Sequence, residues 1–279
     1  MRTPALAASA AILMCLLAPA PAARAAGHTN NILITGYWPP TNEIVRPFST
    51  SPVQNPGGWQ GGNWEGRGYD IYSFFPEFPS GLGKGVGDLE VDYQDTSEDF
   101  WRIVAEVKPA AIMTFSRGSA GKGWELEYRS RNLETWIDDY EAPFQPTPSP
   151  PDPTLPAGAI RYSSLPMLQI RDAVRAAGID VNPFIDSSSS SFGGGFVSEF
   201  MAYHGTWYKD INDDPSAEYR CYSAGHIHVG SGVSVANGRL AAEVSLRELT
   251  RYLDLVIPAP GSWAVLIGGV AFTARRRRA

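Results

Sequence analysis

Two of the chain's four histidines, His226 and His228, flank a single apolar residue, Ile227. On a strand, residues two apart point to the same face, so both imidazoles share one side and Ile227 takes the other. A histidine on a cleft-lining face is a candidate base, because it titrates near neutrality. The alternative is a pair of solvent-facing edge residues. A candidate nucleophile lies in Gly194-Gly195-Phe196-Val197-Ser198-Glu199, where Ser198 follows a glycine turn and opens a helical pattern through Met201 and Tyr203. A hydroxyl at a helix start gains from the positive end of the helix dipole. Serine is also a common helix cap, and spacing alone favours that bland reading.

The remaining reactive side chains offer less. His28 falls near the start of the expected mature chain, where order is not expected. Cys15 lies in the leader, leaving Cys221 alone, so no internal disulfide and no thiolate metal cluster is available. A single cysteine of this kind reads as a buried, inert thiol. Asp210, Asp213 and Asp214 resemble a cation loop but lack full calcium spacing, which favours a solvated loop. No cofactor and no metal ligand is assigned.

Elements that would position these groups alternate along the chain. Ile32–Thr35, Tyr69–Phe74, Leu89–Tyr93, Ala111–Phe115, Val181–Ile185 and Ile227–Val229 read as strands. Asp95-Thr96-Ser97-Glu98 opens a helix carrying Phe100, Ile103, Val104 and Val107, stopped by Pro109. Ser164 opens a second helix with Met167, Ile170, Val174 and Ala177 on one face, closed by Gly178. Leu240, Val244, Leu246, Leu249 and Leu253 mark a last helix. Residues 141–156 are proline-rich and read as a loop, and Ser187–Ser191 is a polar low-complexity patch. Strands alternating with helices predict an α/β fold, three-layered, with a mainly parallel mixed sheet flanked by helices.

The 279 residues carry 29 acids and 23 bases, a formal charge of −6. Six of those bases (Arg2, Arg24 and Arg275 to Arg278) lie in two acid-free ends, which leaves the interior at −12. So acidic a domain argues against nucleic acid as a partner, since phosphate binding needs a basic patch. Residues 1–25 have a basic start, an apolar stretch from Ala5 to Ala20 and an Ala23-Arg24-Ala25 site, and read as a secretory signal peptide. At the other end, Pro258-Ala259-Pro260-Gly261, an apolar run from Trp263 to Thr273 and four arginines resemble a PEP-CTERM sorting signal. That resemblance implies an exported bacterial protein, destined for the cell surface or matrix, with transient anchoring through the tail and membrane sorting machinery as a partner. The expected organisation is a signal over 1–25, one α/β domain over 26–255 and the sorting segment over 256–279.

Six motifs in order along residues 31–253 resemble pyroglutamyl peptidase I, a family of cysteine peptidases. Ile32-Leu33-Ile34-Thr35-Gly36-Tyr37-Trp38-Pro39 is similar to its opening strand and turn. Leu89–Tyr93 and the helix ending Lys108-Pro109-Ala110 follow its next strand and helix. Glu127-Tyr128-Arg129-Ser130-Arg131-Asn132 matches its Glu and Asn, and Tyr162-Ser163-Ser164-Leu165-Pro166 its Tyr-x-Ser-Thr-Leu-Pro. Gly194 to Tyr203 is similar to Gly-Thr-Tyr-Val-Cys-Asn-x-x-x-Tyr, and Gly225-His226-Ile227-His228-Val229 to Gly-Phe-Ile-His-Val. The resemblance places the family's Glu, Cys and His on Glu127, Ser198 and His228, with substrate contacts at Tyr37, Phe196 and Val197. It implies removal of an N-terminal pyroglutamate or hydrolysis of a related amide, without a cofactor.

The departures are chemical. A serine hydroxyl cannot be stored as an anion beside imidazolium as a thiol can, and needs proton removal during attack. Glu199 replaces the residue after the nucleophile and would set a negative charge beside the base. The family's arginine, ten residues after its glutamate, falls on Ile137, with Arg129 and Arg131 nearby but unaligned. Glu127 itself, in Trp124-Glu125-Leu126-Glu127-Tyr128, could by alternation be a solvent-facing strand residue. The readings left open are an exported hydrolase of a peptide or small amide, a catalytically degenerate binding module on the same fold, and a matrix protein for which the fold is only a carrier.

Overall fold

The structure, a computed structural model, describes residues 27–187 and 193–257. The expected signal over 1–25, residues 188–192 of the serine and glycine stretch, and the tail from residue 258 lie outside the described residues.

Short apolar runs form the centre. The strands are β1 (Asn31–Thr35), β2 (Asp70–Phe74), β3 (Ala111–Arg117), β4 (Gly123–Glu127), β5 (Arg129–Arg131), β6 (Ile160–Tyr162), β7 (Asn182–Asp186) and β8 (Ser223–Val229). Six of them make one sheet in the order β2-β1-β3-β8-β4-β7, and β5 pairs with β6 separately. Neighbours are parallel except at β4–β8, which is antiparallel, so the sheet is mixed and mostly parallel. The helices are α1 (Thr41–Val45), α2 (Tyr93–Val107), α3 (Met167–Ala176), α4 (Val197–Asn212) and α5 (Val235–Val256). The α/β class read from the sequence is the one observed.

Strand alternation sorts the core into two layers. Ile32, Ile34, Met113, Phe115, Leu126 and Ile227 pack with side chains of α1, α3 and α5. Leu33, Ile112 and Ala224 pack on the other side with Phe100, Ile103 and Val104 of α2 and Phe200 and Met201 of α4. Each such side chain is fully or almost fully buried, and contributes about 1.5–3 kcal/mol where it is large and aliphatic or aromatic. The α2/α4 side then changes character along the strands. Ile112 is followed on its face by Thr114 and Ser116, and Ala224 by His226 and His228. The site lies at this change from apolar to polar.

Two boundaries differ from expectation. Leu89–Tyr93 is not a strand. Leu89 has φ +59°, and the Asp92 carboxylate caps α2 by accepting from the Gln94 and Asp95 backbone N–H groups. The alternating Leu89, Val91 and Tyr93 are buried as the lead-in to that helix, which therefore starts earlier than Asp95. The second long helix begins at Met167 instead of Ser164, because Ser164 is used elsewhere: its hydroxyl accepts from Ala224 N–H at 2.9 Å. Gly225 permits this docking, since a Cβ there would lie 2.3 Å from Ser163 Oγ and 2.8 Å from Leu165.

His204 lies inside the α2–α4 contact, fully buried, with its ring 4.2 Å from that of Phe200. Its Nδ1 bonds the Phe200 carbonyl, and Nε2 pairs with the Ser97 hydroxyl. Burial pulls its pKa down to about 4. The folded protein therefore resists a proton that the unfolded chain accepts near pH 6.5. This contribution to stability is complete above about pH 6.5 and is lost as pH falls toward 4. Urea unfolding measured from pH 7.5 to 4 should show that decline, and His204→Phe should make it shallower. An unchanged pH slope in the variant would refute the assignment.

Candidate active site

His226 and His228 share one face of β8, as alternation requires, but they lean to opposite neighbours. Thr114 and Ser116 stand beside them on β3, and Glu127 and Glu125 on β4. His226 is 2% exposed and bonds both β3 hydroxyls, Thr114 Oγ1 at 2.7 Å and Ser116 Oγ at 2.8 Å. Thr114 donates to the Gly225 carbonyl, so it accepts from His226 Nδ1–H. Nε2 then accepts from the Ser116 hydroxyl. Burial first, and the neighbouring His228 second, hold His226 well below the usual histidine range, so it stays neutral.

His228 turns to β4. Its Nδ1 lies 2.6 Å from Glu127 Oε1, and both residues are buried, at 7% and 4% exposure. The solvent-facing alternative for Glu127 is therefore not what the fold adopts. The other carboxylate oxygen of Glu127, Oε2, is buried without a hydrogen-bond partner. His228 Nε2 has no hydrogen-bond partner among the described residues. Glu125 sits directly opposite His228, and burial, then the charge of Glu127, pushes its carboxyl up to about 7.

Ser198 is on the first turn of α4. It is neither the helix cap, which is Phe196, nor bonded to a histidine. Its hydroxyl donates to the Gly193 carbonyl at 3.1 Å. Tyr37, Trp38, Val91, Ser116, Arg117, Phe196, Val197 and Ser198 line one small cleft of about 30 Å³. The three expected substrate contacts, Tyr37, Phe196 and Val197, thus share a cleft with Ser198. The structure brings Glu127 to His228, and Ser198 to the cleft, but does not join Ser198 to His228 by a hydrogen bond. Ser116 is a cleft residue that the sequence reading missed. Its signal was available: it lies two residues beyond Thr114, in register with His228.

Glu199 does not sit beside the base as expected. It is fully buried and turned back, accepting from Arg131 Nε at 2.8 Å, Arg131 Nη2 at 2.9 Å and the Gly195 N–H at 2.8 Å. A glutamate at the third helical position commonly reaches back to the N–H groups before the helix. Here that reach ties down the glycine turn. A Cβ on Gly193 would lie 2.6 Å from the Glu199 side chain. Cys221 is remote from this chemistry: it precedes β8, is fully buried, and its thiol is pushed up to about 12 by burial. Asp210, Asp213 and Asp214, expected as a solvated loop, are each engaged by neighbours: Asp210 pairs with Arg161, Asp213 with Lys209 and Arg220, and Asp214 accepts from the Ser216 N–H. His28 is exposed but packs edge-on against Tyr222.

Among solved structures the chain is similar to the pyrrolidone carboxyl peptidase of Thermococcus litoralis, with a TM-score of 0.56, 17% identity, and 82% of this chain and 99% of that one covered. A mutant pyrrolidone carboxyl peptidase of Pyrococcus furiosus gives 0.55 and 15%, covering 80% of this chain and 99% of that one. Pyroglutamyl peptidase I of Bacillus amyloliquefaciens gives 0.52 and 13%, covering 79% and 97%. No protein-family model matches the chain, and no curated protein matches it. At such identities the likeness establishes the fold, which is the one these peptidases share.

The buried Glu199–Arg131 pair should hold the α4 entrance. Arg131→Ala leaves a fully buried carboxylate without its main cation, and should cost about 2–4 kcal/mol in urea unfolding. A loss within about 0.5 kcal/mol, the usual range for an ordinary surface change, would show the pair to be dispensable.

Proposed function

We propose that the protein is an amide hydrolase related to the pyroglutamyl peptidases, acting on an N-terminal pyroglutamyl group or a related amide. The observation that carries this is the buried Glu127–His228 hydrogen bond on the sheet face whose Ser116, in register with His228, lines a cleft together with Ser198. Glu127 accepts the Nδ1 proton of His228, which directs the lone pair of the ring to Nε2 and makes that atom a base. Ser198 is the proposed nucleophile. Its hydroxyl must rotate away from the Gly193 carbonyl and deliver its proton to Nε2 as its oxygen attacks the amide carbon. The protonated His228 then gives that proton to the leaving nitrogen, and water releases the acyl group. Tyr37, Phe196 and Val197 are the proposed substrate walls. The apolar N-terminal segment and the tail are proposed to export the chain and sort it to the cell surface. No helix among the described residues is long and apolar enough to cross a membrane.

A second reading is favoured by one observation, the commitment of the Ser198 hydroxyl to Gly193. On that reading the cleft binds its ligand without turnover. Release of aminocoumarin from a pyroglutamyl amide separates the two. Hydrolysis is expected, with kcat/KM falling by about 10³-fold or more in both Ser198→Ala and His228→Ala. No release by the parent chain, together with pyroglutamate raising the melting temperature, would favour the binding module.

A further inference from the structure

We propose that Glu125, Glu127 and His228 form a binding site for a divalent transition cation of the zinc class. The site shares Glu127 and His228 with the proposed hydrolytic set, so an ion here and base catalysis by His228 exclude one another. Its first support is placement. Glu125 and Glu127 are two apart on β4 and so share a face, and β8 sets His228 directly opposite Glu125. One donor atom from each residue lies within 4.8 Å of the others. Donors around a four-coordinate zinc stand about 3.3–3.5 Å apart, so side-chain rotations within about 1.5 Å assemble the site. The strands that carry the donors are central to the sheet and leave the backbone little to rearrange.

The second support is the unsatisfied oxygen. Glu127 is 4% exposed, and its Oε2 is buried with no hydrogen-bond partner although its Oε1 is paired. An orphaned carboxylate oxygen is costly in a folded protein, and a cation bound there would satisfy it. Charge points the same way. The Glu125 carboxyl is flanked by those of Glu127 and Asp186, so acids crowd one imidazole. One nitrogen and two carboxylates suit zinc or a similar borderline ion, whereas calcium takes six to eight oxygens. Three protein donors leave a fourth position for water or a ligand. Ligation through Nδ1 requires its proton, now directed at Glu127 Oε1, to move to Nε2, so the imidazole stays neutral and its second nitrogen becomes a donor.

Calorimetric titration of the chelator-treated full-length chain with zinc chloride tests this. Saturable binding is expected, and calcium chloride should bind more weakly. Glu125→Gln removes one ligand but no member of the hydrolytic set, and should weaken zinc binding about tenfold or more. Ser198→Ala should bind zinc like the parent. Circular dichroism checks that Glu125→Gln is folded; if it is not, His228→Gln is read by the same criterion. No saturable zinc binding, or equal binding by the folded ligand variant, overturns the proposal. Zinc binding without amide turnover would leave the cation site standing and end the hydrolase reading, and turnover without zinc binding would do the reverse.

Discussion

A carboxylate taken out of water must find a donor, and the polar end of this sheet is organised around one that does. Glu127 is buried on β4 and meets His228 across the single antiparallel junction of an otherwise parallel sheet. An unpaired ion at that depth would cost several kcal/mol. The β4–β8 register therefore has to keep both side chains on one face, since a one-residue slip would send them to opposite sides. On the other side of β8, the β3–β8 register sets His226 against Thr114 and His228 against Ser116, which lines the cleft.

A second buried carboxylate settles the other wall. Glu199 ties Arg131 of β5 to the glycine turn ahead of α4, which carries Phe196, Val197 and Ser198 to the cleft. The negative charge that looks harmful beside a base is instead spent on architecture, and favourably, because it lies at a helix N-terminus. The two histidines of β8 divide their roles in the same manner. His226 is locked neutral between two hydroxyls, while one ring nitrogen of His228 has no hydrogen-bond partner among the described residues.

Much of this was legible in the residues. The runs Ile32–Thr35 and Ala111–Phe115, and the helical spacing of Phe100 to Val107, identify their elements because burial on a sheet or a helix leaves a period in sequence. The pairing of His226 and His228 on one face follows from alternation alone. Leu89–Tyr93 shows where that logic fails. Its alternation is real and its apolar residues are buried, but Asp92 caps a helix there, and a cap competes with a strand in ways that period does not register.

By itself, then, the sequence determined the α/β class and the shared face of His226 and His228, which depend on residue type and local period. The candidate trio of Glu127, Ser198 and His228, with serine where the family has cysteine, came from the order of motifs that resembles pyroglutamyl peptidase I. Only the tertiary structure decided that Glu127 is buried against His228, that Ser198 is held by Gly193, and that Glu199 turns away to Arg131. Those outcomes depend on which strands become neighbours and which turn lies over which helix. Contacts between residues 68 or 101 positions apart are chosen by packing of the whole chain, and local sequence carries no record of them.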